Sequence, residues 1–346
     1  MTILSNSYSK TYAITQRSAI DLTLSENPLG ASPKVIEVII EAAGKSHLYP
    51  HEEKSLVSLI AKNHHIPENV ILLGAGANQI LEDFLKVFAL GKSIVIPSAT
   101  FPESAACMAT LQGSVRSVLL KRDHSLNLSA LLNACRADTG LIHLCNPNNP
   151  TGIWTEPSQL YQLADQSPVP ILISEAGADF VKQTMIEHPM HSKIIVVRSF
   201  SKAYGLAGLR IGYSVASPEI ILTMKRHLRS FQVNSIAIAA AKAALQDQEY
   251  LYKSIAYLLR EKLWLMREMT ALGFKTIPSQ GQTFIAQIPK KFGTADYFCE
   301  AAKKYGVAVV NCSIYVGLNQ YIRISPQKRQ TNKKFVLILK KIMETK

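Results

Sequence analysis

Short apolar runs punctuate the first two thirds of the chain, and most of them end on a small or polar residue. Residues 70–73 run into Gly74-Ala-Gly76, 93–96 into Pro97, 141–145 into Asn146-Pro147, 171–173 into Ser174, and 194–197 into Arg198-Ser199. Near-continuous Val, Ile and Leu without alternation suits strands buried on both faces. Between the runs the period changes: after Gly76, the residues Ile80, Leu81, Phe84, Leu85 and Phe88 recur at helical spacing. Strands alternating with helices predict an α/β fold with a largely parallel sheet. In such sheets ligands sit beyond the carboxyl ends of the strands. Toward the C-terminus, residues 249–272 read as one long helix, with Ile255, Leu258, Leu259, Leu263 and Leu265 among its apolar members. Residues 274–289 resemble strands around a Gly-Gln-Thr turn, 301–310 a helix end followed by a strand, and 321–325 a last strand. A smaller second lobe is expected there. No internal repeat and no low-complexity segment is visible.

At 346 residues the chain is too long for one core of usual size, which agrees with two lobes. No apolar run reaches the roughly 18 residues of a membrane-spanning helix. Met1 to Lys10 is polar and lacks the apolar centre of a secretory signal. Neither a membrane nor an export route is expected. The five cysteines (Cys107, Cys135, Cys145, Cys299, Cys312) are odd in number and contain no CxxC pair. That argues against a disulfide framework and a zinc site, and suits a reducing cytosol.

The net charge of +13 raises nucleic acid or an anionic membrane as partners. The basic residues are spread out, however, and densest near the C-terminus at Lys328-Arg329, Lys333-Lys334 and Lys340-Lys341. Phe335, Leu337, Leu339 and Ile342 lie among them, the pattern of an amphipathic helix with a solvated face. No nucleic-acid partner is expected, and attraction of small anionic substrates is a sufficient use for the charge.

Three segments carry chemistry. In Ser199-Phe-Ser-Lys-Ala-Tyr-Gly-Leu-Ala-Gly-Leu-Arg210 a lysine follows a buried strand among small residues, where it can form a Schiff base with an aldehyde. Ser199, Ser201 and Arg210 around it are suited to clamp a phosphate. A surface lysine with a nearby loop arginine is the plainer reading, and the full string weighs against it. Asn146-Pro-Asn-Asn-Pro-Thr-Gly152 is fixed by prolines and asparagines, as an ordinary turn also is. Gly74-Ala-Gly-Ala-Asn-Gln79 has two glycines of a dinucleotide fingerprint but Gln79 in the third position, which argues against nicotinamide binding. A short Gly-rich turn opening a helix still offers N–H groups to one phosphate.

Together these segments resemble the fold-type I pyridoxal-phosphate enzymes of the aminotransferase class I/II superfamily, over nearly the whole chain. The likeness is closest to the branch of histidinol-phosphate aminotransferase and threonine-phosphate decarboxylase. Ser25-Glu-Asn-Pro-Leu-Gly-Ala-Ser-Pro-Lys34 and Leu48-Tyr-Pro50 look like elements of both. Residues 199–213 are closer to the aminotransferase; Asn311-Cys-Ser-Ile-Tyr-Val-Gly-Leu318 and Thr100-Phe-Pro-Glu103 are closer to the decarboxylase.

The resemblance implies a three-layer α/β/α sandwich with a mostly parallel seven-stranded sheet, plus a smaller α+β domain. It implies an N-terminal segment, 1–44, packing with the small domain, a cofactor-binding domain over 45–250, and a small domain over 251–346. It further implies pyridoxal 5'-phosphate on Lys202, which then serves as general base at the substrate Cα. Ser199, Ser201 and Arg210, with the backbone of Ala77 and Asn78, would hold the cofactor phosphate. Phe101 would stack on the ring and Asn149 would bond the phenolic oxygen. Tyr49 would reach the neighbouring subunit's cofactor, which implies a homodimer with shared sites. Arg323 would pair with the substrate carboxylate, and Asn27 would line the substrate side, a helix cap or turn being its alternative.

Two departures alter that expectation. The family has Asp-Glu-Ala followed by Tyr or Phe where this chain reads Ser174-Glu-Ala-Gly177. The family aspartate pairs with the pyridinium nitrogen and makes the ring a strong electron sink; Ser174 supplies no charge, and Gly177 removes the aromatic hydroxyl. The phosphosubstrate enzymes also carry an arginine where this chain has Val310. A cytosolic homodimeric enzyme acting on an amino acid or amine is expected, an aminotransferase first. A decarboxylase or other carbanion chemistry is the alternative, and a weakly catalytic cofactor-binding protein the alternative of another class.

Overall fold

In the computed structural model, which describes residues 19–187 and 190–344, the first strand among the described residues is the two-residue β1 (Ile20–Asp21). The five predicted runs follow as β2 (Ile71–Gly74), β3 (Ser93–Pro97), β5 (Thr139–Cys145), β6 (Ile171–Ser174) and β7 (Ile194–Ser199), and two strands not expected from the pattern, β4 (Ser114–Val118) and β8 (Gly212–Val215), join them. These last seven form one sheet in the order β2-β8-β7-β6-β5-β3-β4. β8 runs antiparallel to both neighbours, and the remaining pairs are parallel.

Alternate side chains of a strand point to opposite faces, and here both faces are apolar. Leu141, Leu172, Ile195 and Val197 join one core with the helices Ala77–Ala89, Glu103–Thr110 and Pro218–Lys225. Ile142, Leu144, Ile171, Ile173 and Val196 join the other, with the helices Glu53–His64, Pro157–Gln166 and Ser235–Gln246. The result is an α/β/α sandwich in which every parallel strand delivers its carboxyl end to the same edge.

The C-terminal unit is built on β9 (Lys275–Thr276), β10 (Phe284–Gln287), β11 (Val307–Ala308), β12 (Val310–Asn311) and β13 (Tyr321–Ile324). Four of these make an antiparallel sheet in the order β12-β13-β10-β9. β1 pairs in parallel with β11, and Ile20 and Leu22 enter this second core. The helix Gln248–Ala271 joins the two units: Leu251, Ile255 and Leu258 pack with Phe180 and Ala203, while Leu265 and Met269 lie in the C-terminal core. Residue 251 is therefore inside a continuous helix. The terminal helix Arg329–Glu344 buries Phe335, Leu339 and Ile342, but Leu337 faces solvent.

Two segments differ from expectation. The N-terminal stretch is divided, because Ile20 and Leu22 pack with the C-terminal unit whereas Val35 packs into the core of the large one; residues 1–18 lie outside the described residues. Strand structure across 274–289 is confined to β9 and β10. Between them the Lys262 ammonium donates to the carbonyls of Ser279 (2.7 Å) and Gly281 (2.6 Å), and the Gln280 and Gly281 N–H groups donate to the Gly152 carbonyl of the large unit (3.0 Å each), which holds residues 279–281 off the sheet. Among the described residues no helix is long and apolar enough to cross a membrane.

Candidate active site

A cavity of about 270 Å³ opens where the carboxyl ends of the parallel strands meet the C-terminal unit. β5 contributes Cys145, β6 contributes Ser174, and β7 contributes Ser199 with Ser201 and Lys202 just beyond it. Ala77 and Asn78 open the helix over the Gly74–Gly76 turn, and Phe101 follows β3. Asn149 and Arg323 close the side nearer the C-terminal unit. All the residues expected from the sequence line this cavity except Tyr49 and Asn27.

Lys202 is half-buried and lines the cavity. Burial lowers its amine pKa to about 8, Arg323 and Arg210 push the same way, and Glu26 opposes them. The lysine is therefore a usable nucleophile and base near neutral pH. It follows Ser199, whose hydroxyl accepts from the Ser201 N–H at 3.1 Å.

The helix Ala77–Ala89 has no side-chain cap, so its first N–H groups face the cavity. Arg210, itself at φ 53° and ψ 71°, donates from Nη1 to the Ala207 carbonyl at 3.1 Å. Its Nη2 lies 2.6 Å from where a Cβ on Gly76 would stand, and Gly76 has φ 88°. Only glycine lets the turn and the guanidinium approach this closely. Helix N–H groups, two hydroxyls, a guanidinium and a depressed lysine amine fit a phosphorylated aldehyde.

Arg323 is 2% exposed. It donates from Nη1 to Asn149 Oδ1 at 2.7 Å and from Nη2 to the Thr23 carbonyl. The first bond fixes which end of the Asn149 amide is its donor end.

Asn27 is turned away from the cavity. Its amide donates to the Ala203 carbonyl (2.9 Å) and Ser254 Oγ (2.7 Å), and its carbonyl caps the Leu29 N–H (3.0 Å). Those contacts use the side chain to tie the 25–30 segment to the lysine loop. Tyr49 is 72% exposed, outside this cavity, with its ring 4.9 Å from that of Phe231.

The two carboxylates following Ser174 are engaged elsewhere. Arg198 donates to Glu175 Oε2 (3.2 Å) and Asp179 Oδ1 (2.5 Å), and all three are buried. Burial opposes the charge on Arg198, but the Asp179 and Glu175 carboxylates more than offset this and hold the guanidinium protonated, while burial pushes both carboxyls above their ordinary range. Neither carboxylate lines the cavity, whereas Ser174 does. Cys145, the in-register partner of Ser174, lines it too, and burial raises its thiol pKa. Strand alternation through Leu141 and Cys145 was the available signal for that residue. Glu26 and Gln282 also line the cavity without having been singled out.

A family model, aminotransferase class I and II, matches residues 17–339. Histidinol-phosphate aminotransferase 1 of Nitrosococcus oceani is 32% identical over 336 residues, covering 95% of this chain and 90% of that protein. The Desulfotalea psychrophila histidinol-phosphate aminotransferase is 33% identical over 339 residues, with 95% and 88% covered. Among solved structures, the Sinorhizobium meliloti histidinol-phosphate aminotransferase in complex with pyridoxal-5'-phosphate superposes with a TM-score of 0.87 at 23% identity, covering 100% of this chain and 96% of that one. L-threonine-O-3-phosphate decarboxylase from Porphyromonas gingivalis gives 0.80 at 22% identity, with 93% and 99% covered. At such identities the two structures speak to the fold, which is fold type I.

Fold and cavity thus define a pyridoxal-phosphate-dependent transferase. The chain belongs to the aminotransferase class I and II family, on the branch that includes the histidinol-phosphate aminotransferases. Its cofactor is pyridoxal 5'-phosphate, and it is an aminotransferase.

The Gly76 contact gives a direct prediction. In Gly76→Ala the flexible guanidinium of Arg210 is the group that yields to the new Cβ, and the backbone is strained besides. The variant is expected to fold but to bind pyridoxal phosphate about tenfold or more weakly, a loss of ~1.4 kcal/mol or more. Equilibrium dialysis of the apoprotein measures this; an unaltered Kd would remove the Gly76–Arg210 approach from the phosphate site.

Proposed function

We propose that the cavity transfers the amino group of an α-amino acid, with Lys202 as attachment point and base and Arg323 as the carboxylate clamp. The observation that carries this reading is the placement of a depressed lysine amine between two arginines. Arg210, Ser199, Ser201 and the N–H groups of Ala77 and Asn78 hold the cofactor phosphate in this reading. Phe101 covers the ring, Asn149 donates to the phenolic oxygen, and Ser174 is the neutral partner of the ring nitrogen. Bound there, pyridoxal phosphate supplies the aldehyde that takes up the amino group and the ring that withdraws electrons from the reacting carbon. Lys202 takes the proton from the substrate α-carbon and returns one to the product. Arg323 orients the carboxylate so that this carbon faces the lysine, and its burial excludes water from the pair. Residues 45–250 serve as the cofactor-binding domain and 251–346 as the small domain that brings Arg323. The five free cysteines support a reducing, cytosolic setting.

Because the folded-state pKa of Lys202 lies below the ordinary lysine value, its amine is the free base above about pH 8. The unfolded chain still binds that proton up to about 10.5, so this residue's contribution to stability rises with pH between the two values. Borohydride reduction of the loaded protein is expected to fix the cofactor on Lys202, and the labelling rate of apoprotein to rise with pH through a midpoint near 8. Peptide mapping that finds the label on another lysine would overturn the proposal.

We also propose a homodimer with a shared site. Tyr49, Leu48 and Phe231 are exposed, and Leu48 and Tyr49 line a groove of about 330 Å³ with His51. Exposed apolar residues beside a groove suit a self-complementary contact. Sedimentation at micromolar concentration is expected to return a dimer; a fully active monomer would exclude the shared site.

A further inference from the structure

The side of the cavity away from Arg210 has an unusual lining. A small cleft of about 10 Å³ continues from it, and Ser25, Glu26, Lys202 and Gln282 border both spaces. That volume holds one water-sized group. An ammonium is of this size, and a phosphate is not. Besides the apolar Phe180, Leu258 and Pro326 and the Lys202 amine, its lining offers acceptors. Glu26 contributes a carboxylate, and Ser25 and Ser325 contribute hydroxyls that lie 3.3 Å apart. Gln282 donates from Nε2 to the Ser25 carbonyl at 3.4 Å, while its Oε1 is buried with no hydrogen-bond partner. A buried acceptor left unused is costly, and a ligand donor relieves that cost.

Gly177 lies beside this wall: a Cβ there would stand 3.4 Å from Gln282 Oε1, in ordinary van der Waals contact. Val310, on the neighbouring β12, is fully buried and offers no positive charge to a distal phosphate. Of the cationic groups lining the cavity, Lys202, Arg210 and Arg323 are each committed to the cofactor or the carboxylate under the proposed function.

We infer that the Glu26–Gln282 wall is a specificity site for the distal ammonium of a short diamino acid. The inference rests on the proposed function and adds the substrate class. The carboxylate and the Gln282 carbonyl accept from the ammonium, and charge-assisted bonds of this kind are about twice as strong as neutral ones. The chain's net charge of +13 favours anions at long range. That field is screened beyond about 8 Å at physiological salt, so discrimination is set by the wall.

The test is ligand affinity of the holoenzyme, read from the change in the bound cofactor's absorbance at physiological salt. L-Ornithine is compared with L-norleucine, which has a methyl in place of the ammonium, and with O-phospho-L-serine. Ornithine is expected to bind about tenfold or more tightly than either. Glu26→Gln is expected to reduce the ornithine preference over norleucine to about threefold or less, and Glu26→Asp to retain part of it. Equal or tighter binding of norleucine or phosphoserine overturns the inference, as does a preference that survives Glu26→Gln. The wild-type comparison stands even if a variant fails to fold. Binding of L-alanine separates the two levels: if alanine binds and ornithine gains nothing, only the wall fails. If no amino acid perturbs the cofactor, the proposed function fails with it.

Discussion

The ion pair of Arg198 with Glu175 and Asp179 holds the floor of the cavity in place. All three side chains are buried, and the bonds run from the last residues of β7 to the segment that follows β6. The Thr184 hydroxyl (2.5 Å) and the Met185 N–H (2.8 Å) complete the shell of Glu175. A buried charge without such partners costs several kcal/mol per ion, roughly, so the 175–185 segment has little freedom to move relative to Lys202. Ser174, Ala176 and Gly177 line the cavity, while Glu175 among them is anchored outside it.

The same bonds explain why the floor is neutral. A chain lacking aspartate at residue 174 could in principle recruit a nearby carboxylate for the ring nitrogen. Glu175 and Asp179 are the nearest along the chain, and Arg198 holds both outside the cavity. The groups left at that end are Ser174 and the thiol of Cys145, whose burial disfavours the thiolate. Gly177, the neighbouring departure, lies beside Gln282, whose Oε1 would be 3.4 Å from a Cβ there.

The strands β2, β3, β5, β6 and β7 were legible because a near-continuous Val/Ile/Leu run, interrupted in β5 by the buried His143, suits a strand covered on both faces. β4 and β8 carry no such run. Ser114-Val-Arg-Ser-Val118 is a partly exposed edge, and Gly212-Tyr-Ser-Val215 packs its glycine against the backbone near Ala77. Lys202 and Arg210 announce themselves because they are neighbours in one string. Glu26 and Gln282 do not, because they meet only when the N-terminal segment and the loop after β9 converge on the cavity. Asn27 shows the limit of a motif. Its two neighbours in the string, Ser25 and Glu26, reach the cavity, while its own amide is consumed by Ala203 and Ser254.

Under the proposed function the cofactor's ring nitrogen would face the Ser174 hydroxyl, where the family string has aspartate. Without a negative charge beside it, that nitrogen should stay unprotonated near neutral pH. Loading the protein with pyridoxal phosphate labelled with nitrogen-15 in the ring and recording its chemical shift reads the protonation state directly. The wild-type protein should show a neutral pyridine nitrogen, and Ser174→Asp should move the signal to the protonated position. A protonated nitrogen in the wild-type protein at neutral pH would contradict a neutral floor.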